Sequence, residues 1–119
     1  EGFWRRFIND ICLRPFVAMH RRRLARAGLK WNDYTFGMND SGQVDLKTLL
    51  GFITNLPHGV TEIYCHPATS IWPEMEPAAR HYRVTDELDA LTDETVLATL
   101  RQFDIETTTF NTLPAGTLS

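Results

Sequence analysis

A short apolar run that stops at a His-Pro pair limits what this chain can fold into. The run Val60–Cys65 contains β-branched and aromatic residues, and His66-Pro67 follows it directly. A run of this length predicts a strand, and its almost continuous apolar end predicts that the strand is covered on both faces. Such strands are typical of parallel sheets flanked by helices. The sequence therefore favours an α/β fold.

The rest of the chain alternates between helical and extended patterns. Apolar residues three and four apart predict helices, and short β-branched runs predict strands. In chain order the predicted elements are a helix over residues 3–27, a strand over Asp33–Met38, a helix over Asp45–Asn55, the strand Val60–Cys65, an irregular loop over residues 67–84, one or two helical turns over Thr85–Leu91, a helix over Asp93–Phe103 with Thr92 as its N-cap, and a last strand over Ile105–Phe110. This order predicts a parallel sheet or part of a β/α barrel.

The predicted organisation is a basic amphipathic arm (1–28), a β/α body (29–113) and a tail (114–119). In the arm, Pro15 predicts a kink because it lacks an amide hydrogen, and Gly28 predicts the helix stop. Residues 1–30 hold eight of the 12 Lys and Arg but two of the 15 Asp and Glu. This asymmetry indicates an anionic partner for the arm, either a membrane or another surface, or packing on the acidic part of its own chain.

Composition excludes several classes of protein. The 119 residues are 43% hydrophobic, which suits one globular domain but is short for a barrel enzyme. Cys12 and Cys65 form no CxxC pair, so a zinc knuckle has no support. They predict reduced thiols in a cytoplasmic protein, with a disulfide between them as the alternative. No segment has the pattern of a membrane span or a secretory signal. Nucleic-acid binding is disfavoured because the body is acidic and carries no binding motif.

Six segments match the pattern of one enzyme family in the right order. They are Arg21–Gly28, Phe36-Gly37-Met38 with Gly42, Gly59–Ala68, Tyr82-Arg83, Glu87-Leu88 and Ala90–Asp93. The third reads GVTEIYCHPA and resembles the G-x-[ST]-E-[IL]-x-x-H-P strand of YdjC-like carbohydrate deacetylases. Over roughly residues 12–113 the chain resembles this family, and within it the branch associated with hopanoid biosynthesis.

The resemblance implies a distorted β/α barrel of the polysaccharide-deacetylase kind. It also implies an enzyme that removes acetyl groups from N-acetyl amino sugars and that uses a divalent metal, Mg²⁺ or Zn²⁺. In the hopanoid branch the implied substrate is a lipid-linked amino sugar, a glucosaminyl hopanoid. The family's metal ligands, an early aspartate and a mid-chain His-rich motif, have no counterpart among the four scattered histidines. We therefore expect a C-terminal part that lacks the N-terminal half of its polypeptide, binds no metal alone and is inactive alone.

His66 is the candidate catalytic residue. It follows a strand at the end where barrel enzymes place catalytic groups, and an imidazole can donate a proton to a departing amine near neutral pH. The alternative is a histidine that caps the strand by bonding to a backbone carbonyl. Strand alternation places Glu62 and Tyr64 on the same side as His66.

Three further residues are candidate substrate-binding groups. Trp72, in the loop over residues 67–84, either stacks on a sugar ring or holds the loop on the core. Arg83 either touches a sugar or forms a helical ion pair with Glu87. Asp40 either faces the cleft or forms a turn.

Two classes of function fit these patterns. The first is part of a deacetylase, and the second is a non-catalytic interaction or membrane-surface module that uses the basic arm, with peripheral contact to the inner membrane. The uncovered strand edges and apolar helix faces of a barrel fragment also predict self-association.

Overall fold

The computed structural model describes residues 15–72, 74, 75 and 77–113. Two units divide the chain: one is Asn32–Thr107, and the other combines Glu1–Trp31 with Thr108–Ser119. The unit Asn32–Thr107 contains the sheet and all four candidate site residues. None of the helices in the described ranges is long and apolar enough to cross a membrane.

Helix α1, in the other unit, covers residues 15–26. It ends at the predicted stop, because Gly28 has a φ of 66° and its amide donates to the carbonyl of Ala25 at 3.0 Å. A glycine in this left-handed conformation is a common way to close a helix. Residues 1–14 lie outside the described part. About half of the predicted helix over residues 3–27 falls there, and so does the chain just before Pro15 on which the predicted kink depends.

Two strands of three residues form the sheet. β1 spans Tyr34–Phe36 and β2 spans Thr61–Ile63, and they pair in parallel with Thr35 opposite Glu62. Helix α2, over Leu46–Ile53, lies in the crossover that parallel pairing requires. The predicted strands over Asp33–Met38 and Val60–Cys65 are confirmed with shorter bounds, and the chain is a mixed structure of helices and parallel strands.

The prediction that the second strand is covered on both faces is wrong. Glu62 is exposed, and so is Tyr64, which follows β2 and retains 40% of its accessible surface. Ile63 points the other way and packs against the core. Because strand side chains alternate, one face of β2 meets the core while the other meets solvent.

Two more helices follow the irregular loop. A 3-10 turn, Pro77–Ala79, lies in the loop, helix α3 spans Val84–Thr92, and helix α4 spans Glu94–Gln102. Helices α2, α3 and α4 contact one another. The core consists of buried side chains from these three helices together with Val44, which lies two residues before α2. The helical members are Leu49 and Ile53 of α2, Ala90 of α3 and Val96 of α4.

The predicted cap of α4 is wrong by one residue. The carboxylate of Asp93, rather than the hydroxyl of Thr92, accepts the amide of Thr95, at 2.7 Å. Thr92 still belongs to α3, where its hydroxyl donates to the carbonyl of Leu88 at 2.9 Å. The hydrogen bond from Thr95 holds the pKa of the Asp93 carboxyl below its usual value.

The predicted last strand over Ile105–Phe110 is also wrong, since these residues form no strand. Asp104 has a φ of 54°, and the Ile105 amide donates back to the last turn of α4. The hydroxyl of Thr112 donates to the carbonyl of Thr109 at 3.0 Å, within a turn. Local bonds of this kind compete with strand pairing, which is why the β-branched run misleads.

Asp45 is the N-cap of α2, and its replacement by alanine should cost about 1 kcal/mol of unfolding free energy at neutral pH. Its carboxylate accepts a hydrogen bond from the Thr48 amide at 3.0 Å. This hydrogen bond, and to a smaller extent the positive charge of Arg83, holds the pKa of Asp45 below its usual value. A lowered folded-state pKa contributes stability above the unfolded pKa, and this contribution is lost as the pH falls through the folded value.

The check is urea unfolding of the wild type, Asp45→Ala and Asp45→Asn at neutral and acidic pH. Asparagine retains a neutral cap, so the advantage of the wild type over Asp45→Asn should disappear on acidification. An advantage that persists at low pH contradicts this account.

Candidate active site

The carboxyl ends of β1 and β2 lie side by side, as parallel pairing dictates. The Tyr64 amide donates to the Phe36 carbonyl at 2.8 Å, directly after the strands end. Gly37 is buried there with a φ of 86°, and a Cβ added to it would lie 2.2 Å from the Tyr64 carbonyl oxygen. Glycine at position 37 therefore lets the two loops leave the sheet together.

His66 sits just beyond this edge, half-buried between two tyrosine rings. Its Nε2 lies 3.2 Å from the Tyr64 hydroxyl, and the two rings meet edge to face with centroids 4.8 Å apart. The centroids of the Tyr82 and His66 rings lie 4.8 Å apart, with an angle of 55° between the ring planes. The predicted placement of Tyr64 and His66 on one side is confirmed.

The two nitrogens of the His66 ring have different surroundings. Nδ1 is buried and has no hydrogen-bond partner among the described residues, whereas Nε2 faces the Tyr64 hydroxyl in an exposed contact. The alternative in which the ring caps the strand by bonding to a backbone carbonyl does not describe these contacts. Nε2 is therefore the ring atom that can exchange a proton with a bound molecule.

Tyr82 connects the His66 ring to the loop that follows β1. Its hydroxyl accepts from the hydroxyl of Ser41 at 3.1 Å. A Cβ added to Gly42 would lie 2.2 Å from two carbons of the Tyr82 ring, so the ring rests directly on the Gly42 backbone. The two strand-end loops and the segment before α3 thus meet at one place.

Glu87 lies beneath this site and is fully buried, with 0% of its surface exposed. Its Oε1 accepts the Val44 amide at 3.0 Å, and its Oε2 accepts the His66 amide at 2.5 Å. The sequence interpretation missed this role. The available signal was spacing: Val84, Glu87 and Ala90 are three residues apart and share the buried face of α3.

The predicted ion pair between Arg83 and Glu87 is wrong. Arg83 instead binds the carboxylate of Asp86, with its Nε 2.6 Å from Oδ2, and lies 3.6 Å from Asp45. The guanidinium is exposed, so it pairs with the acidic groups that share the solvent face, while Glu87 points into the core. This pair is of the exposed kind, which contributes little to stability.

Asp40 and Trp72 stand apart from the contacts made by the His66 ring. The Asp40 side chain is exposed and its backbone forms a turn, since its amide donates to Gly37 and its carbonyl accepts from Gln43. Trp72 is 47% exposed, while Met75, three residues later, is buried. Met75 rather than Trp72 therefore anchors this loop, and the substrate-binding roles of Asp40, Trp72 and Arg83 stay predictions.

Cys65 lies between Tyr64 and His66 with a free, half-buried thiol. Burial raises the pKa of the Cys65 thiol, and the negative charge of Glu87 raises it further. A thiol of raised pKa is a poor nucleophile at neutral pH, so Cys65 is unsuited to nucleophilic catalysis. Cys12 lies outside the described residues.

The donor set of the described residues does not fit a divalent-metal site. Within residues 15–72, 74, 75 and 77–113, no three His, Cys, Asp or Glu side chains come close enough to hold an ion. Both oxygens of the nearest buried carboxylate, Glu87, already accept backbone amides.

Comparison with protein-family models gives a match over most of the chain. The family model described as YdjC-like protein matches residues 3–102. Searches of curated proteins and of solved structures gave no significant match. Membership of this family supports a carbohydrate deacetylase type of function in broad terms. The match covers most of the chain, which therefore belongs to the YdjC-like family.

Proposed function

We propose that this chain supplies the proton-donating side of an N-deacetylase that acts on N-acetyl amino sugars, with His66 as the donor to the departing amine. The observation that carries the proposal is the position of His66 at the carboxyl end of β2, with Nε2 beside the Tyr64 hydroxyl and Nδ1 buried. A proton donor fixed at one ring atom is what amide cleavage requires.

The reaction assigns each group a defined task. Water adds to the acetyl carbonyl carbon, the bond from that carbon to nitrogen breaks, and its electron pair goes to the amine. A protonated His66 ring gives its Nε2 proton to that nitrogen, and the proton that the water loses passes to solvent, from which the ring regains one. The products are a free amino sugar and acetic acid. The Tyr64 hydroxyl, 3.2 Å from Nε2, orients the ring toward the amine.

The proposal extends to the whole enzyme. It places this chain as the C-terminal part of a distorted β/α barrel in the cytoplasm, with the ligands for Mg²⁺ or Zn²⁺ elsewhere in the polypeptide. The parallel pairing of β1 and β2 and the unsuitable donor set of the described residues support this division. A glucosaminyl hopanoid is the proposed lipid-linked substrate.

An exposed face of α1 supports a peripheral membrane contact for such a substrate. Phe16, Val17 and Met19 are 60%, 49% and 40% exposed, and Arg21–Arg23 follow on the same helix. Apolar and basic side chains together suit the surface of an anionic membrane. Co-sedimentation with vesicles that contain phosphatidylserine, compared with neutral vesicles, tests this contact; equal binding to both contradicts it.

Acetate release tests the proposed activity. We expect the complete polypeptide to release acetate from N-acetylglucosamine oligomers or N-acetylglucosaminyl lipid when Mg²⁺ or Zn²⁺ is supplied. Residues 1–119 alone should be inactive, because the described residues provide no site to activate water. The same sugars without an acetyl group are the control. Metal-dependent turnover by residues 1–119 alone contradicts the division of the site.

A further inference from the structure

Glu87 is a buried carboxylate with an unusual pair of partners. It is fully buried, yet its two oxygens accept two backbone amides from segments far apart in the chain, Val44 at 3.0 Å and His66 at 2.5 Å. Removing a carboxylate from water is costly, and such charge-assisted hydrogen bonds offset the cost. The side chain therefore fixes two segments at once.

Both segments follow strands and lead into the candidate active site. Val44 ends the loop that leaves β1, two residues after Gly42, on which the Tyr82 ring rests. His66 is the third residue after β2. Glu87 thus joins the two loops at the edge of the sheet where the His66 ring lies.

Helix α3, which carries Glu87, is held in place by buried side chains and by backbone hydrogen bonds. Val84 and Ala90, three residues to either side of Glu87, are each 2% exposed. The Arg83 amide donates to the Gly42 carbonyl at 2.7 Å, and the Ala68 amide donates to the Val84 carbonyl at 3.1 Å. The helix start is therefore bonded to the same two loops that Glu87 joins.

We propose that Glu87 is a positioning residue, which holds the His66 backbone in place relative to the loop after β1 and so keeps Nε2 aligned with the substrate. This inference rests on the proposed function of His66. Glu87 does not touch the substrate, and its effect passes through the backbone amide of His66. A misplacement of about 1 Å in a catalytic group can cost roughly a hundredfold in rate.

The test is Glu87→Gln in the complete polypeptide. Glutamine has nearly the same shape but offers one acceptor oxygen, and its amide group presents a donor to the second backbone N–H. We expect kcat to fall roughly 10- to 100-fold with KM little changed. Glu94→Gln, an exposed carboxylate in the first turn of α4, is the matched control and should leave kcat unchanged.

A second readout follows the backbone directly. The His66 amide proton resonance should move upfield in Glu87→Gln, because a bond to a carboxylate is lost or weakened. Unchanged kcat in folded Glu87→Gln overturns the inference, and so does a fall in kcat with an unmoved His66 resonance. If His66→Ala keeps full turnover, the proposed function fails instead, and the resonance alone decides whether Glu87 holds the loops.

Hydrogen exchange in the wild type keeps the inference testable if Glu87→Gln does not fold. Neither Val44 nor His66 lies within a helix or strand, so their amides would exchange freely without the carboxylate. We expect both amides to be protected, because each bonds to an oxygen of the same buried carboxylate. Free exchange at His66 overturns the inference.

Discussion

His66→Ala in the complete polypeptide should lower turnover by roughly two to four orders of magnitude, the usual effect of removing a positioned acid. His66→Gln should be nearly as inactive, because a carboxamide can hydrogen-bond but cannot cycle a proton. The melting temperature should change little, since Glu87 accepts the backbone amide of residue 66, which every variant keeps. Initial rates and melting temperatures measured on the same samples check both expectations.

The matched control is His58→Gln, which makes the same substitution at an exposed histidine shortly before β2. It should retain full turnover. If His66 has only a structural role, the expected results are reversed. His66→Ala should then destabilise the protein, and His66→Gln should keep most of the turnover rate. Near-normal turnover by His66→Gln therefore removes His66 from the mechanism.

Gly37→Ala should lower the unfolding free energy by about 2–5 kcal/mol. About 1–2 kcal/mol comes from holding an alanine at a φ of 86°. About 1–3 kcal/mol more comes from overlap, because the new Cβ would lie 2.2 Å from the Tyr64 carbonyl oxygen, which belongs to the backbone and cannot rotate away. Urea unfolding followed by fluorescence measures the loss.

Two other glycines separate these contributions. Gly28 has a φ of 66° with nothing within 4 Å of an added Cβ, so Gly28→Ala should show the backbone strain alone. Gly51 lies in α2 with open space around it, and Gly51→Ala should stabilise the helix by about 0.5–1 kcal/mol. A loss for Gly37→Ala no greater than for Gly28→Ala contradicts the predicted overlap.

The sequence predicted the elements whose signals are local and failed where partners decide. Residue type and the turn-forming residues at each end predict the strands near Tyr34 and Thr61. The glycine at position 28 predicts the end of the helix. The run from Ile105 has an equally extended pattern, but a strand exists only when another strand pairs with it. The hydroxyls of Thr108 and Thr109 instead bond to the nearby hydroxyl of Thr112.

The site shows the same division between local and distant information. The position of His66 after a strand, and its shared side with Tyr64, follow from alternation along the chain. The partner of Arg83 and the burial of Glu87 depend on which face of α3 meets the core, and helical spacing alone allowed either acidic neighbour. The bonds from Glu87 to Val44 and His66 cross 43 and 21 residues, beyond the reach of pattern reading.

The pairing of β1 with β2 also has a kinetic consequence. It joins Tyr34 to Thr61 across the crossover, whereas α3 and α4 form from neighbouring residues. Pairing two strands that are far apart in the chain requires closing the segment between them, which loses entropy before any contact forms. We therefore expect the strands to pair after the helices have packed together. Substitutions in the strands should then speed unfolding more than they slow folding. The edge that carries His66 would be the last part of this unit to assemble and the first to open.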